Sequence, residues 1–174
     1  MSGTDAVRHR SFAPMADADA RVLILGSMPG TASLAARQYY AHPYNQFWPI
    51  MEHICGAVQS LPYAERLRML QQNGIALWDV LHSCVRSGSL DTAIEHASAV
   101  PNDLMGLMRA HQRITLLCCN GTTAYRGLQR YFGTHLQRER PELRCLRLPS
   151  TSPAHASMRF ADKLRAWQAA LRSA

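Results

Sequence analysis

The sequence has few of the features from which cross-linked, metal-bound or membrane proteins are built. Its five cysteines are an odd number and no two have CxxC spacing, so we expect neither a disulfide framework nor a zinc site. No apolar run approaches the roughly 18 residues that span a bilayer. The first fourteen residues lack the apolar stretch of a signal peptide. We therefore expect a soluble, cytoplasmic protein with no membrane association, no metal and no cofactor.

Lysine is almost absent, since Lys163 is the only one, yet arginine is abundant and the formal net charge is +7. A basic balance favours a polyanionic partner, although many basic proteins bind no nucleic acid. No lysine follows the glycine turn at 26–30, which argues against a P-loop enzyme that acts on nucleotide phosphates. Charge alone thus indicates a class of partner but no activity.

Short apolar runs alternate with helical patterns along the chain. Four runs are typical of buried strands: 21–27, 74–81, 113–121 and 143–148. Between and after them, helices are predicted at 46–55, 62–73, 101–110, 122–132 and 156–172. This alternation predicts an α/β fold in which a parallel sheet is covered by helices on both faces. We expect a single domain at 21–174, preceded by a loosely ordered segment at 1–20.

Ligands of open parallel sheets bind at the carboxyl ends of the strands, and a glycine turn follows the first predicted strand. It consists of Gly26, Ser27, Met28, Pro29 and Gly30. Such a turn exposes backbone groups and lets a ligand approach closely. The alternative interpretation is an ordinary turn from strand to helix.

An aromatic loop comes next in the chain. Tyr39, Tyr40, His42 and Asn45 lie within it, and Pro43 prevents a regular helix before Asn45. Aromatic rings beside a glycine turn suit the stacking of a planar heterocycle. Phe47 and Trp48 are more simply core residues of the helix that follows.

A hydroxyl-rich segment precedes the last helix. Its residues are Ser150, Thr151, Ser152, Pro153, Ala154 and His155, and Arg159 follows in the basic helix. Hydroxyls and backbone N–H groups at a helix start suit phosphate, although they would also cap the helix. Elsewhere, Asp79 could be catalytic or could orient a loop, and Asn120 is more simply a helix cap.

These motifs, in this order, resemble those of the uracil-DNA glycosylase superfamily. The local sequence around Gln38, Trp78 and Ser150 is most similar to that of the hypoxanthine-DNA glycosylase branch. The resemblance covers about residues 20–172. It implies a three-layer αβα fold with a small four-stranded parallel sheet. It also implies a monofunctional DNA-repair enzyme that flips a deaminated base out of double-stranded DNA and hydrolyses its N-glycosidic bond. We expect such an enzyme to act as a monomer.

The resemblance also implies roles for single residues. Tyr40 matches the aromatic residue that stacks on the flipped base. The backbone around Ser27 and Met28 would line the base pocket, with His42 nearby. Residues 150–155 would press on the phosphates on either side of the flipped nucleotide. Relatives carry Asp or Asn where this chain has Met28, which can neither orient nor activate water. Asn45 matches the asparagine that the hypoxanthine branch uses, so we expect it to be the catalytic residue.

Two other functions remain open at this point. The same fold could act chiefly on uracil, against which Met28 argues without excluding it. The chain could also be a non-catalytic nucleic-acid-binding module, against which Tyr40 and Asn45 argue.

Overall fold

The structure is a computed structural model that describes residues 7–173. In this range the chain forms seven strands: β1 (Arg8–Arg10), β2 (Val22–Gly26), β3 (Ile75–Asp79), β4 (Leu81–Val85), β5 (Val100–Pro101), β6 (Leu116–Asn120) and β7 (Arg144–Leu148). It also forms six α-helices: α1 (Thr31–Ala36), α2 (Phe47–Cys55), α3 (Tyr63–Gln72), α4 (Leu104–Ala110), α5 (Thr122–Glu139) and α6 (Phe160–Arg172). No helix among the described residues is long and apolar enough to cross a membrane.

The main sheet confirms the predicted fold class, since its four strands are all parallel and run in the order β3-β2-β6-β7. The two inner strands are almost entirely buried, because helices cover both faces of the sheet. Side chains alternate between these faces. In β2, Leu23 and Leu25 face the core shared with α4 and α5, while Val22 and Ile24 face α2, α3 and α6.

The parallel pairing brings distant segments to one edge of the sheet. Gly26, the last residue of β2, lies opposite Asp79, the last residue of β3. Asn120 ends β6 opposite Leu148, the last residue of β7. The loops that follow these four residues therefore meet at the carboxyl edge, as the sequence pattern predicts.

A second, three-stranded sheet with the order β1-β4-β5 was not predicted. It corrects our expectation for the chain start, because residues 7–20 are held against the domain. Strand β1 pairs antiparallel with β4, Met15 exchanges backbone hydrogen bonds of 2.8 and 2.9 Å with Leu77, and Phe12 accepts the Trp78 indole N–H at 3.0 Å. Residues 1–6 of that segment lie outside the described residues.

Several element bounds also differ from the sequence prediction. Helix α5 continues to Glu139, seven residues beyond the predicted end at 132, since Phe132 and Leu136 extend its buried stripe. Helix α6 begins only at Phe160, because 150–159 form an irregular loop. The short helix α1 was missed, since its six residues are too few for a clear periodic pattern.

Candidate active site

A pocket of about 650 Å³ opens at the carboxyl edge of the main sheet. All but one of the residues expected at the site line it: Gly26, Ser27, Met28, Pro29, Gly30, Tyr40, His42, Asn45, Ser150, Thr151, Ser152, Pro153, Ala154 and His155. The exception is Arg159, which precedes α6, is highly exposed and donates to Asp162 at 3.2 Å. Three segments that are distant in sequence thus form one concave surface.

Hydrogen bonds to the backbone at the junction of β3 and β4 and to a buried arginine hold the glycine turn in place. The carbonyls of Gly26 and Ser27 accept the N–H groups of Val80 and Leu81 at 2.8 and 3.1 Å. The buried Arg86 donates to the Pro29 carbonyl at 2.6 Å. These contacts fix the backbone of the turn where it borders the pocket.

Met28 is only 6% exposed and packs in the hydrophobic core with the α4 and α5 side of the sheet. Its side chain is therefore apolar and largely inaccessible, and it offers the pocket no polar group.

Tyr40 has a left-handed backbone, with φ of 56°, which is uncommon for a residue other than glycine. One face of its ring stacks on Phe47, with centroids 4.0 Å apart and planes inclined by 23°. Its hydroxyl is buried without a partner among the described residues. Burial, and then the neighbouring Asp79, raise the pKa of Tyr40. The hydroxyl therefore stays protonated at the inner end of the pocket.

Asn45 is half-buried beside the start of α2. Its Oδ1 accepts the backbone N–H of Phe47 at 2.9 Å, and its own N–H donates to the His42 carbonyl at 2.9 Å. An amide oxygen has two lone pairs, so this bond orients the side chain and leaves acceptor capacity for a ligand or water.

His42 lies at the exposed rim of the pocket. Its Nδ1 accepts the backbone N–H of Tyr44 at 3.1 Å, which makes the Nε2 atom the protonated one in the neutral ring. The ring also lies 5.8 Å from that of Tyr44, in a tilted arrangement. This geometry leaves an N–H donor for an anion or a base.

The hydroxyl-rich loop is anchored by Thr151, which is fully buried. Thr151 and Asn120 exchange two hydrogen bonds of 2.9 Å, and the Thr151 carbonyl accepts the Gln46 N–H at 2.9 Å. Thr151 therefore joins the hydroxyl-rich loop to the end of β6 and to the end of the aromatic loop, and its side chain is turned away from solvent. Asn120 holds this loop and makes no side-chain cap for α5.

The other residues of this loop lie nearer the surface, and Lys163 supports them from below. Ser152 and His155 are half-buried, while Pro153 and Ala154 are exposed. Lys163 is 1% exposed and donates to the His155 carbonyl at 2.7 Å. The chain's one lysine thus shapes the loop and does not itself lie on the surface.

A group of buried charges under the pocket was only partly recognised from the sequence. Asp79 is 4% exposed, lines the pocket and has one buried carboxyl oxygen without a partner among residues 7–173. Asp91 accepts the Ser27 hydroxyl at 2.7 Å, and Arg86 is 1% exposed. Asp91 and Arg86 lie in a segment that the sequence places near a strand end, but no role was predicted for them because they lie far from the glycine turn in sequence.

The two carboxyl groups, those of Asp79 and Asp91, have raised pKa values. Burial raises the pKa of Asp79 to about 8, with a further rise from the charge of Asp91 and an opposing effect of Arg86. Burial also raises the pKa of Asp91, while the Ser27 hydroxyl and Arg86 lower it. At neutral pH Asp79 is thus mainly an uncharged acid, which can donate one hydrogen bond and accept others.

No group of three or more His, Cys, Asp or Glu side chains in the described range is arranged to hold a metal ion. The five cysteines are all free thiols. Cys118 and Cys119 are fully buried within β6, where burial raises the pKa of Cys118 to about 12. The polar side chains that border the pocket carry hydroxyls, amides, two imidazoles and carboxyls.

Fold and pocket together define a three-layer αβα protein with an aromatic and hydroxyl-lined pocket at the carboxyl edge of a four-stranded parallel sheet. A family model described as the uracil DNA glycosylase superfamily matches residues 13–171. The chain belongs to the uracil DNA glycosylase superfamily.

Two curated relatives are named hypoxanthine DNA glycosylase. The protein from Methanosarcina acetivorans is 37% identical over 116 residues, which are 66% of this chain and 72% of that protein. The protein from Methanosarcina barkeri is 42% identical over 90 residues, 51% of this chain and 57% of that one. A solution NMR structure of a candidate uracil DNA glycosylase from M. acetivorans superposes with a TM-score of 0.78 at 31% identity, covering 96% of this chain and 98% of that one.

Proposed function

We propose that this chain is a monofunctional DNA glycosylase that removes hypoxanthine from double-stranded DNA. The observation that carries the proposal is the single pocket in which the glycine turn, the aromatic loop and the hydroxyl-rich loop meet. Membership of the superfamily and similarity to two proteins named hypoxanthine DNA glycosylase support it. The net charge of +7 agrees with a polyanionic partner.

In this proposal the target nucleotide leaves the duplex and its base enters the pocket. The free face of Tyr40 would stack on the base, since Phe47 already occupies the other face. The hydroxyl-rich loop, with Arg159 beyond it, would contact the phosphates on either side of the extruded nucleotide. Because phosphates carry no sequence information, this loop would position the DNA and leave base selection to the pocket.

Asp79 is our candidate for reading the base edge. Its protonated form offers one donor and one acceptor, which match O6 and N1–H of hypoxanthine. Uracil presents the same pattern at O4 and N3–H, so Asp79 does not separate the two bases. Ionised Asp79 would face the base oxygen with negative charge, and binding would weaken.

Asn45 is our candidate for positioning water. The bond between C1′ and the base nitrogen breaks first, and its electron pair leaves with the base. Water held by Asn45 then attacks C1′, loses a proton to solvent, and the departed base takes up a proton. An amide is a poor base, so this dissociative order suits Asn45. The products are free hypoxanthine and an abasic sugar.

The test is incubation of purified protein with duplexes that contain a single deoxyinosine or a single deoxyuridine, followed by alkali cleavage at abasic sites. We expect cleavage at deoxyinosine that exceeds cleavage at deoxyuridine. Faster cleavage at deoxyuridine would assign uracil as the main substrate. Binding of both duplexes with no cleavage of either would identify a non-catalytic binding protein and overturn the proposal.

A further inference from the structure

A second concave surface lies beside the base pocket and runs along α5. It is a groove of about 360 Å³ between one face of α5 and the segment that follows β4. Its floor is apolar and its rim is polar: Val80, Leu81 and Ile94 form the floor, and His96, Arg126 and Arg130 stand on the rim. The three rim residues are exposed.

The groove adjoins the base pocket. Ser27, Asp91, Thr92 and Thr123 border both cavities. Helix α5 begins at Thr122, directly after β6 reaches the carboxyl edge. From this edge Arg126 lies about 6 Å along the helix and Arg130 about 12 Å, at 1.5 Å per residue. A chain that leaves the base pocket on this side passes both arginines.

Neither Arg126 nor Arg130 forms an ion pair with a carboxylate among residues 7–173. Seven other arginines lie within 4.0 Å of a carboxylate oxygen: Arg68, Arg109, Arg113, Arg138, Arg140, Arg159 and Arg165. Among residues 7–173, Arg126 and Arg130 form no such pair, and Arg130 lies 5.8 Å from the Tyr131 ring. Two uncompensated guanidinium groups on one helix face favour an anionic partner.

We propose that this groove binds the phosphate backbone of the duplex arm that flanks the flipped nucleotide, with Arg126 and Arg130 each neutralising one phosphate. The inference rests on the proposed function, because it takes DNA as the ligand of the adjoining pocket. The two arginines are four residues apart, so they lie on the same helix face, separated by about 6 Å of rise. That separation is close to the rise of two nucleotides along the DNA helix axis, at about 3.4 Å each.

A matched control exists at the opposite edge of the sheet. Arg21 and Arg172 are also exposed and also line a groove, of about 250 Å³, but at the amino ends of β2 and β3. Replacing both by alanine removes the same two charges as the double substitution of Arg126 and Arg130. Any difference between the two variants therefore reports location and not net charge.

The experiment measures the dissociation constant for a 30-base-pair duplex, with and without a central deoxyinosine, over a range of salt concentrations. For Arg126→Ala/Arg130→Ala we expect the slope of log K against log salt to fall by about 1.8, which is 0.9 for each lost phosphate contact, and affinity to fall on the order of tenfold. Both duplexes should show the same loss. Arg126→Lys/Arg130→Lys should keep the wild-type slope, and Arg21→Ala/Arg172→Ala should match the wild type.

An alanine double variant that behaves like the control would overturn the inference, and so would a lysine variant that loses the slope. Excision of deoxyinosine by the wild type is measured in parallel. A wild type that binds in this manner but excises no base would refute the proposed function and leave the groove assignment standing. A wild type that binds neither duplex would refute both.

Discussion

The side-chain oxygen of Asn45 accepts the backbone N–H of Phe47 at 2.9 Å. One residue therefore ends the aromatic loop, orients its own amide towards the pocket and satisfies a free N–H at the start of α2. Because the proposed catalytic group is also structural, a simple deletion would lower stability as well as activity. The first prediction has to separate these effects.

Asn45→Ala should lower the free energy of unfolding by about 1 kcal/mol, the net contribution of a typical hydrogen bond, and should slow excision at least about a hundredfold. Asp103→Ala is the matched control, since Asp103 caps α4 through the Gly106 N–H at 2.9 Å, outside the pocket lining. Denaturant unfolding and single-turnover excision of hypoxanthine would be measured for both. Equal excision by the two variants would mean that the role of Asn45 is only structural.

Tyr40→Ala should slow single-turnover excision by about ten- to a hundredfold, because stacking contributes roughly 1–3 kcal/mol per base. Tyr40→Phe should remain close to the wild type, since the lost hydroxyl has no partner among the described residues. Tyr44→Ala serves as the control, because Tyr44 is 77% exposed in the same loop and does not line the pocket. An excision rate of Tyr40→Ala equal to that of Tyr44→Ala would exclude Tyr40 as the stacking platform.

Excision should decline as pH rises through about 8, because the pKa of Asp79 is about 8 and the protonated acid is the proposed donor. Asp79→Asn keeps a neutral donor at every pH, so its rate should show no such decline. The contrary finding would be that both proteins lose activity in parallel, which would assign the titration to another group.

The raised pKa of Asp79 should also make the free energy of unfolding depend on pH. Its folded pKa lies above the unfolded value of about 3.9, so between about pH 4 and 8 the folded state binds more protons and stability falls as pH rises. Above the folded pKa the loss is complete. Asp79→Asn should remove this dependence, which denaturant titrations at pH 5 and pH 9 would measure. An unchanged difference between the two pH values would contradict the elevated pKa.

Gly26→Ala should destabilise the protein by about 1–3 kcal/mol, as overpacking of a core does. A Cβ atom on Gly26 would lie 2.5 Å from the Asp79 carboxyl oxygen. Gly30→Ala is the comparison, because its nearest contact would be Ser89 at 3.7 Å. Thermal unfolding of both variants is the measurement, and equal midpoints would show that Asp79 can move aside without cost.

The order of the four parallel-strand runs and five of the helices could be predicted from the sequence, since a buried run of branched residues and a 3.6-residue period are local signals. The motif segments could be placed at strand ends for the same reason. Strand β4 and the second sheet could not, because antiparallel pairing of Arg8–Arg10 with distant residues leaves no local pattern.

Within the site, the sequence indicates which residue types are present but not which way their side chains point. The sequence marks Thr151 and Ser152 alike as hydroxyls beside a helix, yet in the fold Thr151 is buried against Asn120 while Ser152 remains near the surface. That difference depends on a partner 31 residues away. The pairing of Arg159 with Asp162, three residues on, was by contrast a local relationship.

Composition, periodicity and motif order were thus sufficient for the layer arrangement, the edge at which the pocket lies and most of its lining. The buried charges and the second groove depended on packing. Asp79 has a raised pKa because neighbours from other segments exclude water from it and Asp91 adds negative charge. Arg126 and Arg130 are distinguished by their place, since both line one groove beside the pocket and neither has a carboxylate oxygen within 4.0 Å in the described fold. Both properties arise from the distances between residues remote in sequence, and a linear pattern contains no record of those distances.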